Sequence, residues 1–263
     1  MATLASQRTA NPEVQAAVDR KSILRPWIML FSRFTLFILI QAFFSVMLYL
    51  TGAASAWDQS ANWWPVVVIL TNLVCIALLM RFFRAEGACY WRLFRIDRKH
   101  WKGDLLAMFL ITLAFAPVTY FPNIFLGRLL FGSPEATLDL LVRPLPFWVV
   151  YGVIILFPLT QGLAELPTYF GYVMPRFQKN GMAVWLAVLL PSVVLGFQHL
   201  ALPLIFDVRF IAWRAFMYLP FAILVGAILH WRPRLLPYLV VVHILMDLSF
   251  TMMLLNVASV NSL

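Results

Sequence analysis

Apolar residues in this chain fall into long unbroken runs, separated by short breaks rich in proline, arginine and other polar residues. A run of about 20 residues matches a hydrocarbon core ~30 Å thick, and seven such runs are predicted, at approximately 27–50, 64–80, 105–120, 146–162, 181–206, 210–231 and 236–255. No segment alternates apolar and polar residues as a barrel strand does. Unpaired backbone is too costly in lipid, so the runs are expected to be helices. The fold class this implies is all-α, a polytopic integral membrane helical bundle. A polar tail over residues 1–25, expected to be largely disordered, precedes a single transmembrane domain over 26–263. Because the tail is polar, no short secretory segment is expected at the start. Ala54-Ser55-Ala56 has the small residues of a cleavage site but follows too long an apolar run.

Composition strengthens this reading. The chain is 63% hydrophobic and only 12% charged, about half the charged fraction of a soluble domain, which leaves too few charges to coat a water-facing surface. A water-soluble globular enzyme is thereby excluded. The net charge of +9 is explained by its distribution. With the N-terminus in the cytoplasm, 16 of the 20 Lys and Arg residues fall on the cytoplasmic side and four (Arg128, Arg143, Arg209, Arg214) on the other, the asymmetry of an N-in, C-out protein. No nucleic acid is needed as a partner. The loop over 81–103 interleaves aromatic and basic residues, as an interfacial segment near anionic headgroups would, so membrane lipid is the expected partner. Cys75 and Cys89 provide neither a disulfide framework nor a paired-cysteine metal site.

Chemistry in such a protein is sought where an ionisable side chain sits at membrane depth, because burying it there is costly unless it is paired or used. Of the eleven acidic residues, nine, Asp104 among them, fall in the tail, loops or span ends; Glu165 and Asp247 remain. Of four histidines, His199 and His243 lie inside apolar runs. His243 and Asp247 are four residues apart and so share one helix face. Gln161, Tyr169 and Tyr172 line the same face as Glu165, on a segment that Pro158 and Pro167 are expected to bend or interrupt. Counted at ~1.5 Å per residue, Glu165, His243 and Asp247 lie roughly 13–20 Å from the cytoplasmic end, whereas His199 falls deeper, at about 25 Å. Two imidazoles and a carboxylate suit an open Zn2+ site, with His199, His243 and Asp247 as ligands. Without a metal, Glu165 is a candidate general base, with His199 or His243 stabilising an oxyanion. Both alternatives describe hydrolysis.

Over about 145–250 these residues resemble the CAAX protease and bacteriocin-processing (CPBP) family of intramembrane proteases. That family carries a Glu-Glu-x-x-x-Arg motif commonly followed by Gly, then Phe-x-x-x-His, then His-x-x-x-Asn or Asp, on three successive helices. AELPTYFG supplies Glu165 and Gly171, LGFQHLALP supplies His199, and HILMD supplies His243 and Asp247. Leu166, Phe170 and Leu195 stand where the family has the second Glu, the Arg and the Phe.

The resemblance implies an endopeptidase cleaving a peptide or lipidated protein, with a site open to the cytoplasm, in the cytoplasmic membrane of a prokaryote. It also implies that Glu165, His199, His243 and Asp247 are catalytic. Given the departures, Tyr169, Tyr172 and Gln198 are the expected substrate contacts of a rebuilt site. Two alternatives stand beside it: a catalytically inactive relative acting in partner binding or immunity, and a proton-coupled transporter using the same buried groups.

Overall fold

The computed structural model describes residues 12–260, with side chains described over 22–255. Among the described residues there is no strand. Seven helices are long and apolar enough to cross a membrane: Ser22–Leu50, Ala56–Ala85, Trp101–Phe131, Phe147–Lys179, Val184–Ala201, Val208–Trp231 and Pro233–Leu255. The all-α, seven-span architecture therefore holds, with several boundaries moved. Helix α1 spans Pro12–Leu50, so residues 12–25 of the expected disordered tail are helical; the remainder of that tail lies outside the described residues. Glu13, Gln15, Ala16 and Ala17 are good helix formers that a hydropathy count overlooks. Helix α2 spans Trp64–Ala85. Helix α3 spans Trp101–Phe131, passing through Pro117 and Pro122 and ending at Gly132, whose φ of 81° gives the left-handed stop.

Helix α4 (Phe147–Leu166) does not break at Pro167. It continues as a π-helix over Pro167–Val173 and then as a last α-helical turn over Met174–Lys179. Widening the helix lets it accommodate a proline whose missing N–H and ring oppose the α-helical ladder. Helix α5 spans Val184–Gln198, α6 Val208–Phe216, α7 Leu219–Trp231 and α8 Leu236–Val260. Helix α6 starts at Asp207, whose side chain accepts from the N–H groups of Arg209 and Phe210. Bonds from the Arg209 side chain and from the Phe210 and Arg209 N–H groups hold the Asp207 carboxyl below its usual range.

Side-chain pairs identify the two ends of the bundle. Glu86 pairs with Arg176 at 2.7 Å and Arg25 at 3.9 Å, and Arg234 with Asp104 at 2.8 Å, all at one end. Arg143 with Asp58, Trp57 with Phe206, and Gln41 with Leu204 mark the other. The Lys/Arg-rich segments gather at the first end, as expected. Two arginines do not belong to either count: Arg33 is 0% and Arg214 3% exposed, each inside a span. Asp104, expected at a solvated span end, is likewise fully buried.

Half of the apolar stretch of Phe147–Lys179 is buried, against 11% for Trp101–Phe131, which makes α4 the central helix and α3 a peripheral one. Lipid is as apolar as leucine, so close helix contact depends on small residues and shape. Gly162 supplies it: a Cβ there would lie 2.4 Å from Ile244 Cγ1, so α8 rests directly on α4 one residue from His243. Gly162→Ala is expected to push α8 outward and destabilise the bundle by about 1–3 kcal/mol, measurable as a lower melting temperature in detergent. Cys89 is exposed and Cys75 buried. In sealed, right-side-out cells an impermeant maleimide should label Cys89 only after permeabilisation, and Cys75 only after unfolding.

Candidate active site

Arg33 on α1 is the centre from which the site is built. It is fully buried, and each face of its guanidinium edge meets a side-chain acceptor: Nε donates to Gln198 Oε1 at 2.9 Å, Nη1 to Asn72 Oδ1 at 2.5 Å and Nη2 to Gln161 Oε1 at 2.9 Å. Gln161 Oε1 accepts a second bond from Asn72 Nδ2 at 3.0 Å. Four helices, α1, α2, α4 and α5, are thereby tied at one point. Its counterion is Glu165, whose Oε1 lies 3.6 Å from Nη2 and accepts from Gln198 Nε2 at 2.5 Å. Planar, multi-donor geometry suits arginine to such a buried junction where lysine would leave acceptors unpaired.

The other carboxylate oxygen of Glu165 faces the histidines. His243 Nε2 is 3.3 Å from Glu165 Oε2 and 3.4 Å from Asp247 Oδ2, while His243 Nδ1 is buried without a hydrogen-bond partner. His199 Nδ1 lies 3.0 Å from the Leu195 carbonyl oxygen, so that nitrogen donates, and Nε2 turns its lone pair toward Glu165 Oε1 at 4.0 Å. The four expected catalytic residues thus converge, and Gln161, Glu165, His199, His243 and Asp247 line one cavity of about 150 Å3. The depth mismatch of His199 disappears on the observed ends. Glu165 lies 14 residues from Lys179 and His199 15 from Val184, or ~21 and ~22 Å at the helical rise.

Other expectations are corrected. The cavity does not open toward the Lys/Arg-rich end. On that side of Glu165, Leu166, Tyr169, Phe170, Tyr172 and Val173 are packed solid, while Trp64, Leu141, Leu202 and Tyr218 carry the cavity toward the opposite end. None of the three expected substrate contacts lines it. Gln198 and Tyr169 belong to the arginine network, the Tyr169 hydroxyl donating to Gln198 Oε1 at 3.0 Å. Tyr172 donates to Glu86 Oε1 at 2.5 Å, with the Arg176 guanidinium 4.1 Å from its ring centroid. Its stripe position is shared with Glu165 in an ideal α-helix, and the π segment rotates it away.

Arg33 and Arg214 are the functional residues that hydropathy reasoning missed. Arg33 sits 11 residues beyond Ser22, ~16 Å along its span, too deep to be a loop cation. Arg214 donates through Nε to the His199 carbonyl at 3.0 Å and through Nη2 to that of Leu202, fixing the turn that presents His199. For zinc, the expected set does not assemble: among the described residues no group of three His, Cys, Asp or Glu able to hold a metal ion forms, and His199 lies across Glu165 from the other two. Compared with family models, curated proteins and solved structures, the chain matches none.

Arg33→Met should cost about 3–5 kcal/mol, because it leaves a buried carboxylate and several acceptors unpaired. Arg33→Met/Glu165→Gln should lose less than the two single variants summed, measured by unfolding in detergent as a double-mutant cycle.

Proposed function

We propose that the protein is an intramembrane endopeptidase of the CPBP type, hydrolysing a peptide bond of a membrane-associated or lipidated protein in the cytoplasmic membrane of a prokaryote. The observation that carries this reading is the gathering of Glu165, His199, His243 and Asp247, from three helices, around one cavity. The two oxygens of Glu165 have separate tasks. Oε1 is fixed by Gln198 and Arg33, which leaves Oε2 to take a proton from water as the water oxygen attacks the scissile carbonyl carbon.

His199 and His243 then divide the remaining work by tautomer. The His199 Nε2 lone pair accepts from the attacking water. His243 Nε2–H donates to the oxyanion, and Asp247 orients the ring. When the C–N bond breaks, the proton held by Glu165 passes to the departing amine. Arg33 and Arg214 are positioning residues in this scheme, because neither needs to touch the reacting atoms. A cavity of about 150 Å3 is below the ~300–1,000 Å3 of ordinary ligand sites, so a peptide requires it to widen. Helix α3 is the wall suited to that movement: it contributes Thr119 alone, in a segment flanked by Pro117 and Pro122.

The same small volume favours a second reading, a non-catalytic relative that binds a membrane partner. Glu165→Gln separates the two. Tested against membrane-anchored and prenylated peptides, with bound zinc quantified on the same samples, the variant is expected to lose more than a hundredfold in turnover while folding normally. Turnover retained in Glu165→Gln overturns the assignment of Glu165 as the general base. A biological activity untouched by both Glu165→Gln and His243→Ala selects the partner-binding one.

A further inference from the structure

Away from the cavity, a second concavity of about 300 Å3 lies at the Lys/Arg-rich end of the bundle. Three arginines reach it from two segments distant in sequence: Arg92 and Arg95 from the 3-10 turn Tyr90–Phe94 and the residue after it, and Arg234 from the turn before α8. Its floor is apolar and includes Phe170 and Gly171 of the π segment. The turn is seated tightly on that floor, since a Cβ on Gly171 would lie 3.0 Å from Leu93 Cδ1.

The charges here are not balanced by protein. Among the described residues, the side chains of Arg92 and Arg95 have no hydrogen bond or ion pair. Arg234 uses one donor, Nε, on Asp104 Oδ1 at 2.8 Å, which orients its guanidinium and leaves the terminal amino groups free. Asp97, the acidic residue of the neighbouring loop, is committed elsewhere: it bonds His100 Nδ1 at 2.7 Å and the Lys99 N–H at 2.9 Å. The Asp97 carboxyl still feels the Arg234 charge, so three guanidiniums face two carboxylates and the concavity keeps a net excess of positive charge.

Its level in the membrane follows from residues one or two positions from its lining arginines and Pro233 in sequence. Trp91 is 52%, Ile96 49% and Trp231 77% exposed, amphipathic and apolar side chains at the end of the spans, where aromatic residues mark the headgroup layer. A concave basic site at headgroup depth, with an apolar floor, fits a phosphodiester carrying glycerol and acyl chains.

We propose that Arg92, Arg95 and Arg234 form a site for the phosphate headgroup of an anionic phospholipid, which staples the 90–95 turn to the π segment and the start of α8. The excess charge discriminates against zwitterionic headgroups, whose phosphate brings its own cation. Multidentate guanidinium contact distinguishes the site from the diffuse attraction of the surrounding lysines. The site is independent of catalysis, and its test uses no turnover.

Delipidated full-length protein in neutral detergent is titrated with dioctanoyl phosphatidylglycerol, dioctanoyl phosphatidylcholine or inorganic phosphate, and the melting temperature is followed. Phosphatidylglycerol is expected to raise it saturably, as a ligand of the folded state does, with phosphatidylcholine much weaker. Arg92→Gln/Arg95→Gln should weaken the phosphatidylglycerol response at least tenfold in concentration. Lys99→Gln/Lys102→Gln, the same charge change nearby in the chain but outside the concavity, should leave it within about twofold. Equal weakening by both double variants reduces the effect to surface charge and overturns the site. An equal response to phosphatidylcholine, or to inorganic phosphate alone, overturns the lipid assignment.

Discussion

A guanidinium buried among four helices constrains everything around it. Arg33 cannot be left unpaired at that depth, so Asn72, Gln161, Gln198 and Glu165 must all arrive together, and their arrival fixes how α1, α2, α4 and α5 are rotated against one another. Apolar packing in lipid supplies little directionality, because one leucine-rich face suits another as well as it suits acyl chains. The polar junction supplies it instead. It also holds one oxygen of Glu165 and leaves the other facing His243.

Around that junction the helices carry two further departures from regularity, and both serve the same place. The π segment lets α4 pass Pro167 without breaking, rotates Tyr172 toward Glu86 and fills the space on the Lys/Arg-rich side of Glu165 with packed side chains. Gly162 lets α8 approach α4 closely enough for His243 and Asp247 to reach the same carboxylate. With one side sealed, the cavity extends toward the opposite end of the bundle, and its thin wall is α3. The arrangement also separates two kinds of chemistry. The buried Arg33 and Arg214 guanidiniums are paired within the protein, whereas the side chains of Arg92 and Arg95, at the end of the spans, have no hydrogen bond or ion pair among the described residues.

Much of this was legible in the sequence because the bilayer imposes a strict rule. A run of about 20 apolar residues must become a helix, so the seven spans and the all-α class followed from hydropathy alone. The four residues that converge on the cavity, Glu165, His199, His243 and Asp247, were legible for a related reason: an ionisable side chain in such a run needs a partner, and few are present.

Tertiary structure alone decided which groups those residues meet. Arg33 and Arg214 lie within predicted apolar runs but were counted with the charges at the two ends of the bundle, because hydropathy averages over a window and does not show that a single guanidinium is buried inside it. Gln198 and Tyr169 were expected as substrate contacts, but whether such a group faces the cavity or the arginine depends on helix rotation. That rotation is set by contacts between residues more than 100 positions apart, such as Arg33 with Gln161 and Gln198, and no local periodicity records it. Linear sequence set the order of the groups along each helix, whereas the helix ends and the packing of neighbouring helices decided their depth and direction.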